Sequence, residues 1–124
     1  MSPLEAVKVL VVEDEFLIAT DLELMLRKLG ASEVRIELNI DSALAGLCER
    51  LPDCAVLDIG LREKTPEKIA DLLLQQRVPF IFATGYDNAL PLPDHLRAVP
   101  LVRKPVNAID LEEAFVRAFA LVRD

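Results

Sequence analysis

Residues 7–15 read VKVLVVEDE, and this stretch decides the fold. Its first part, Val7 to Val12, is a short run rich in β-branched side chains, and its last three residues are acidic. A largely apolar run without regular polar alternation is typical of a strand that is buried on both faces of a parallel sheet. The abrupt change to carboxylates indicates that a group of polar side chains lies where this strand ends.

Four further runs predict four further strands. In the first of them, Val34, Ile36 and Leu38 alternate with polar residues, whereas the others, at 54–57, 80–83 and 101–102, are apolar throughout. Helical patterns lie between these runs, and such alternation indicates a doubly wound α/β domain with right-handed crossovers. We therefore expect one domain over residues 1–124, with a five-stranded parallel sheet in the flavodoxin-like order 2-1-3-4-5.

Apolar residues at helical spacing predict the faces of four helices. These faces are Ile18, Leu22, Met25 and Leu29, then Leu44, Leu47 and Leu51, then Ile69, Leu72, Leu73 and Gln76, and finally Leu111, Phe115, Ala118 and Val122. Gly30 and Pro52 mark helix ends, Thr65 is the predicted cap of the third helix, and Asn107 caps the last one. Pro91 and Pro93 stand where a further helix would begin, so we expect the fourth helix of the fold to be short or disordered.

Composition excludes several classes of protein. In this chain of 124 residues, 52% are hydrophobic and the net charge is −7. Such a chain can form a core, and its acidity disfavours contact with nucleic acid. No apolar run reaches the ~20 residues of a membrane helix, and no basic segment marks a signal peptide, so we expect a cytoplasmic protein without a membrane contact. Cys48 and Cys54 match no zinc pattern and are expected to be buried, reduced thiols.

Polar side chains follow four of the predicted strands, at the point where each strand ends. They are Glu13, Asp14 and Glu15 after the first run, Asp58 after the third, Thr84 and Gly85 after the fourth, and Lys104 and Pro105 after the fifth. Because the carboxyl ends of parallel strands meet at one edge of the sheet, we expect these groups to converge there. Taken alone, the acidic triplet also suits an ordinary helix N-terminus, and His95 is expected to be solvated.

This set of carboxylates, one hydroxyl and one ammonium favours phosphoryl chemistry. Carboxylates without histidine or thiol suit Mg²⁺, while Lys104 and Thr84 can stabilise charge on a transferred phosphoryl group. An aspartate can form an acyl phosphate, and Asp58 is the best candidate because it ends the central strand. The residues for a Ser-His-Asp or Cys-His site and for a Gly-rich phosphate loop are lacking, which disfavours acyl transfer and nucleotide binding.

These residues resemble the receiver domain of bacterial two-component response regulators, over essentially the whole chain. Glu13 and Asp14 match the acidic pair of that family, Asp58 its phosphoacceptor, Thr84 its switch hydroxyl, and Lys104-Pro105 its Lys-Pro dipeptide with a peptide bond that is usually cis. The resemblance implies that Mg²⁺ is held by Glu13, Asp14 and Asp58 together with the backbone carbonyl of Gly60.

A narrower resemblance concerns residues 79–86, PFIFATGY, which are similar to the signature of the FAT GUY single-domain response regulators. Members of that subfamily tend to have a reduced or mobile fourth helix, and the resemblance implies a role in stress or light signalling. Receivers commonly carry an aromatic switch residue where this chain has Leu101. Tyr86 is therefore the candidate to take a switching part together with Thr84.

The leading hypothesis is a response regulator that consists of a receiver alone. It accepts a phosphoryl group on Asp58 from a sensor histidine kinase and then contacts a downstream signalling protein or passes the group to a phosphotransferase. We expect a monomer or weak homodimer that is not an enzyme beyond its own phosphorylation and dephosphorylation. The alternative is an interaction module with the same fold that works without phosphorylation. A small phosphatase is disfavoured because Gly60 stands where that chemistry usually has a second acid.

Overall fold

Strands and helices alternate along the chain in this computed structural model, which describes residues 2–60, 66–85 and 92–122. The strands are β1 Lys8–Val12, β2 Glu33–Glu37, β3 Cys54–Asp58, β4 Phe80–Thr84 and β5 Leu101–Arg103. The α-helices are α1 Phe16–Lys28, α2 Ile40–Glu49, α3 Glu67–Gln75 and α4 Ala108–Val122. A short 3₁₀ helix, Asp94–Leu96, lies between β4 and β5.

The sheet has the strand order β2-β1-β3-β4-β5, and every neighbouring pair is parallel. This confirms the predicted doubly wound α/β fold. The chain passes from β1 outward to β2 and then crosses back over β1 to β3, so the order of strands switches between β1 and β3. In such sheets the crevice beyond the carboxyl ends of the strands at the switch point is where ligands bind.

The two faces of the sheet each carry an apolar cluster. Val9 and Val11 of β1 belong to the cluster that also contains residues of α1 and α4, whereas Leu10 and Val12 belong to the cluster formed with α2 and α3. Because successive side chains of a strand point to opposite faces, β1 is buried on both sides. The apolar runs of the sequence are explained by this double burial.

The predicted helix faces are partly wrong. In α1 the buried residues are Ala19, Leu22 and Leu26, whereas Ile18 and Met25 are only half-buried. The predicted Leu22 is therefore confirmed in the buried face, and Ile18, Met25 and Leu29 pack against the edge of the core. In α2 and α3 the predicted Leu47, Ile69 and Leu73 are buried, and the alanines Ala43 and Ala70 are buried beside them.

Other details of the helices also differ from expectation. Helix α2 ends at Glu49, so Leu51 lies beyond it and is exposed, and Gln76 follows the last turn of α3 and is exposed as well. Cys48 is exposed on α2, and only Cys54 is buried, which corrects the expectation of two buried thiols. The predicted cap of α4 is confirmed, because Asn107 Oδ1 accepts a hydrogen bond from the backbone N–H of Asp110 at 2.8 Å.

The region of the expected fourth helix contains only the 3₁₀ helix within the described residues. Leu96 of this element is fully buried, and its backbone N–H donates to the carbonyl of Pro93 at 2.9 Å. Thr65, Tyr86 and Pro91 lie outside the described residues. Within residues 2–60, 66–85 and 92–122, no helix combines the length and the apolar character needed to cross a membrane.

Candidate functional site

Three polar side chains are buried among the described residues, and all three lie at the carboxyl ends of strands. Glu13 follows β1 and is 1% exposed, Asp58 ends β3 at 3%, and Thr84 ends β4 at 2%. Burying a polar group is costly unless it is paired or hydrogen-bonded. Such a concentration at one edge of the sheet therefore marks a site rather than ordinary surface.

Asp58 ends β3, the central strand of the sheet. Strand β3 pairs with β1 and with β4, and the backbone N–H of Ile59 donates to the carbonyl of Ala83 at 2.9 Å just beyond the aspartate. The backbone N–H of Gly60 donates to Asp58 Oδ1, also at 2.9 Å. The carboxylate is thus held at a fixed position by the sheet and by the turn that follows it.

Lys104 brings the only cation into direct contact with the carboxylates, as far as the described residues show. Its backbone N–H donates to the carbonyl of Thr84 at 2.8 Å, which sets Lys104 beside the end of β4. Its Nζ lies 2.5 Å from Glu13 Oε1 and 3.1 Å from Asp58 Oδ1. The peptide bond between Lys104 and Pro105 is cis.

The electrostatics of these groups follow from their burial and their partners. Burial, with a further contribution from Asp58, raises the pKa of Glu13 from 4.5 to about 7, although Lys104 and the N–H of Glu15 oppose the shift. Burial by itself lowers the pKa of Lys104, but the carboxylates of Glu13 and Asp58 outweigh it and raise that pKa above 10.5. The surroundings therefore favour the charged form of Lys104 and disfavour the ionised form of Glu13.

The carboxylates form a cluster that suits a divalent cation. Oxygen atoms of Glu13, Asp14 and Asp58 lie within 4.8 Å of one another. Hard oxygen donors of this kind suit Mg²⁺, and the two buried carboxylates Glu13 and Asp58 share the ammonium of Lys104. Burial is the main reason that the pKa of Glu13 is raised, and the neighbouring Asp58 adds to the shift. Both oxygens of Glu13 are engaged, Oε1 by Lys104 and Oε2 by the N–H of Glu15 at 3.1 Å.

A surface groove opens from this cluster and extends along α1. Its volume is about 600 Å³, and it is lined by Asp58, Gly60, Gly85 and Lys104 at the cluster, and by side chains of α1 and of the segment after β5. The sequence did not predict this groove, because an apolar helix face does not show which of its residues stay partly accessible, as Ile18 and Met25 do here.

The predicted site residues are brought together where the structure describes them. Glu13, Asp14, Asp58 and Lys104 form the cluster, Thr84 ends the neighbouring strand, and Gly60 and Pro105 line the groove. The predicted switch residue Tyr86 lies outside the described residues.

Two other residues that the sequence singled out lie apart from the cluster. His95 is half-exposed, as expected, and its Nε2 lies 2.7 Å from Asp71 Oδ1 on α3. Leu101 is half-buried and packs against the cluster of apolar residues that α2 and α3 share.

Comparison with curated proteins gives relatives in signal transduction. No family model matches the chain. The sensory transduction protein LytT from Bacillus cereus is 33% identical over 101 residues, which cover 79% of this chain and 41% of that protein. The chain spans about half the length of the curated relatives it matches.

Solved structures share the fold over nearly the whole chain. The solution structure of SdrG from Sphingomonas melonis Fr1 is 32% identical with a TM-score of 0.80, and the match covers 95% of this chain and 98% of SdrG. The crystal structure of the response regulator PhyR from Brucella abortus is 30% identical with a TM-score of 0.72, covering 94% of this chain and 49% of PhyR. With its doubly wound sheet and these relatives, the chain belongs to the receiver domains of response regulators.

Proposed function

We propose that this receiver domain accepts a phosphoryl group on Asp58 from a phosphohistidine of a sensor histidine kinase, in a reaction that depends on Mg²⁺. The observation that carries the proposal is the contact of Lys104 Nζ with Asp58 Oδ1 at 3.1 Å, in a site where two further carboxylates lie close by. The similar protein SdrG has been solved in a BeF₃-activated conformation, and beryllofluoride is a chemical analogue of a phosphoryl group. That precedent supports the same chemistry here.

The transfer is a displacement at phosphorus. A carboxylate oxygen of Asp58 attacks the phosphorus atom, the P–N bond to the donor imidazole breaks, and the imidazole leaves with the bonding electrons and gains a proton. The Gly60 N–H and Lys104 Nζ both contact Oδ1, so we assign Oδ2 as the attacking atom. The Lys104 ammonium and the Thr84 hydroxyl then stabilise the charge on the phosphoryl oxygens.

The metal site is proposed at the acidic cluster. The carboxylates of Glu13, Asp14 and Asp58 and the backbone carbonyl of Gly60 would hold Mg²⁺, and their oxygen donors fit that ion. When bound, the ion supplies positive charge that neutralises the phosphoryl oxygens and the crowded carboxylates. Glu13 and Asp58 share the Lys104 ammonium, so the carboxylates and the lysine enclose the reacting group together.

The signal is proposed to pass through the end of β4. Once Asp58 carries the phosphoryl group, the Thr84 hydroxyl moves toward it, and the segment through Tyr86 follows, which changes the surface between β4 and α4. The partner that reads this surface is a downstream signalling protein or a phosphotransferase. The domain catalyses no reaction other than its own phosphorylation and dephosphorylation. Resemblance to the FAT GUY subfamily, and likeness to a PhyR described as a stress response regulator, support a stress pathway.

The test is labelling with acetyl phosphate in the presence and absence of Mg²⁺. We expect one hydroxylamine-labile phosphoryl group on the native chain, loss of labelling when EDTA removes the metal, and loss in Asp58→Asn. The matched control is Asp53→Asn, at the opposite end of β3, where the side chain accepts a hydrogen bond from the backbone N–H of Lys8 at 2.8 Å and an amide oxygen can do the same. Labelling of Asp58→Asn that remains dependent on Mg²⁺ would contradict the assignment, and a native chain without any label would favour the phosphorylation-independent module.

A further inference from the structure

Ile59 is an apolar residue that stands between two residues of the candidate site, Asp58 and Gly60. Its side chain is only 4% exposed and packs in the apolar cluster that α2 and α3 share. Asp58 and Gly60 both line the groove, whereas Ile59 is not among the described lining residues. The proposed phosphoryl chemistry therefore leaves this buried side chain without an assigned part.

The side chain of Ile59 continues the alternation of the central strand. Ala55 and Leu57 of β3 belong to the same apolar cluster as Ile59. Cys54 and Val56, at the alternate positions, belong to the cluster on the other face of the sheet. Because a strand residue is recognised by this two-residue period, Ile59 is still held as part of the strand. The chain therefore leaves the sheet one residue beyond the end of β3.

A backbone hydrogen bond also holds Ile59 against the neighbouring strand. The N–H of Ile59 donates to the carbonyl of Ala83 at 2.9 Å, and Ala83 immediately precedes Thr84. The residue after the proposed acceptor is thus tied to the residue before the hydroxyl that we assign to the phosphoryl oxygens. An apolar contact and a backbone contact together fix the position of Ile59.

The turn that follows β3 depends on this fixed position. The N–H of Gly60 donates to Asp58 Oδ1 at 2.9 Å, so the aspartate side chain is bonded to the backbone two residues ahead. In a turn of this kind, the backbone of the intervening residue decides whether the donor and the acceptor meet. That residue is Ile59, whose β-branched side chain has few rotamers open to it. The orientation of the Asp58 carboxylate therefore depends on Ile59.

We propose that Ile59 is a positioning residue of the phosphoryl-accepting site. By holding the Gly60 N–H on Asp58 Oδ1, it keeps the carboxylate turned so that Oδ2 stays available to the phosphodonor. The proposal rests on the phosphoryl-accepting function of Asp58, which Ile59 serves without contacting the phosphoryl group. A residue that only fills the core would affect the stability of the chain and leave the labelling rate of the folded chain unchanged.

The test compares the same substitution at two buried isoleucines of one cluster. Ile59→Leu and Ile69→Leu both keep the volume of the side chain and move its branch point, and Ile69 lies on α3, outside the described lining of the groove. Exchanges that conserve volume usually leave a protein folded. The rate of labelling by acetyl phosphate in the presence of Mg²⁺ is measured for each variant as a function of the acetyl phosphate concentration.

The maximal labelling rate should fall about tenfold in Ile59→Leu, the scale on which residues that orient the groups of a metal site act. The acetyl phosphate concentration at half the maximal rate should not change, because Ile59 does not contact the phosphodonor. Ile59→Val keeps the β-branch and should be labelled at nearly the native rate, as should Ile69→Leu. A native rate in Ile59→Leu, or an equal loss in Ile69→Leu, would overturn the proposal.

The amide resonance of Gly60 gives a second measurement that needs neither the metal nor phosphoryl transfer. In EDTA, the chemical shift of the Gly60 amide proton reports its hydrogen bond to Asp58 Oδ1. Ile59→Leu should move this resonance upfield, and Ile69→Leu should leave it in place. An unchanged Gly60 resonance in Ile59→Leu would refute the positioning role even if labelling were slower.

Labelling of the native chain separates this proposal from the proposed function. A native chain that is labelled, beside an Ile59→Leu variant that is labelled equally fast, refutes the positioning role alone. Absence of label on the native chain refutes the phosphoryl-accepting function, whatever the resonance of Gly60 does.

Discussion

The two ends of the sheet both pair acids with bases, but they do so in different surroundings. At the carboxyl end, Lys104 contacts Glu13 and Asp58, and the three side chains are 16%, 1% and 4% exposed. At the amino end, Arg50 contacts Glu33 at 2.8 Å with side chains that are 55% and 41% exposed. Distance alone does not separate the two pairs, whereas burial does.

This difference explains why one end is a site and the other is not. An exposed pair exchanges water contacts for an ion pair and gains little. A buried pair loses hydration that the attraction barely repays, so a chain keeps such a pair for a purpose other than stability. Among the described residues of the carboxyl end, two buried carboxylates share one lysine, which supports the metal and phosphoryl site proposed there.

The largest effect is expected when the buried cation is removed. At pH 8 without divalent cations, Lys104→Met should lower the free energy of unfolding by about 3 kcal/mol, because Glu13 and Asp58 are then left without their partner. Arg50→Gln, which breaks the exposed pair, should cost less than about 1 kcal/mol. Urea unfolding of both variants beside the native chain measures the contrast.

Magnesium sharpens the same contrast. The site of Lys104→Met is more negative than that of the native chain, so added Mg²⁺ should stabilise this variant more than it stabilises the native chain. Equal losses from the lysine and the arginine substitutions would show that burial does not distinguish the two ends.

An intermediate effect is expected from the titration of Glu13. Its pKa in the folded chain, about 7, is above the ordinary value of 4.5, so the folded state binds this proton more tightly than the unfolded state does. The contribution of protonated Glu13 to the free energy of unfolding is therefore fully present below pH 4.5, and it is lost as the pH rises through 7. Glu13→Gln lacks this titration and should gain about 2 kcal/mol relative to the native chain between these limits.

Thermal unfolding of the native chain and Glu13→Gln, in EDTA and across this pH range, measures the gain. Saturating Mg²⁺ should reduce this difference in stability, because a bound cation favours the ionised carboxylate of Glu13 in the native chain. A difference in stability that does not change with pH would contradict the assigned shift.

The smallest effect compares one glycine at each end of the sheet. Gly30, just before β2, has a φ of +114°, and an added Cβ would lie 2.6 Å from Glu5 Oε2, so Gly30→Ala should cost about 1.5 kcal/mol. At Gly85, which lines the same groove as Asp58, an added Cβ would meet only Lys104 Cδ at 3.8 Å. Gly85→Ala should therefore leave stability within about 0.5 kcal/mol of the native value. Chemical unfolding distinguishes the two, and a larger loss at Gly85 would show that this edge is more tightly packed than its contacts indicate.

The strands could be predicted almost to the residue, whereas the helix faces could be predicted only in part. A strand buried on both sides must be apolar throughout, so runs such as 54–57 and 80–83 mark it directly. A helix face is inferred from large apolar residues, and this inference overlooks alanine. Ala19, Ala43 and Ala70 are all buried, and each widens a buried face that also contains predicted residues such as Leu22, Leu47 and Leu73.

The members of the site could be predicted, but their contacts could not. The rule that polar residues at strand ends converge on one edge placed Glu13, Asp58 and Lys104 together. It does not predict which carboxylate Lys104 contacts, because that depends on side-chain rotamers. The contact of Lys104 with Glu13 at 2.5 Å is therefore seen only in the structure. The groove beside the site could not be predicted, because the spacing of apolar residues in α1 does not show which of them stay accessible. The switching part of Tyr86 stays a prediction.

The pairing of β3 on both edges has a consequence for hydrogen exchange. The amides of Ala55 to Asp58 lie in the centre of the sheet, where exchange occurs only when the whole domain unfolds. Their exchange rates should therefore report the global stability and change with the proposed phosphorylation of Asp58 only as far as that stability does. Because Asp58 is fixed in the central strand, we expect local differences between the two proposed states at the amides around Thr84 and Gly85.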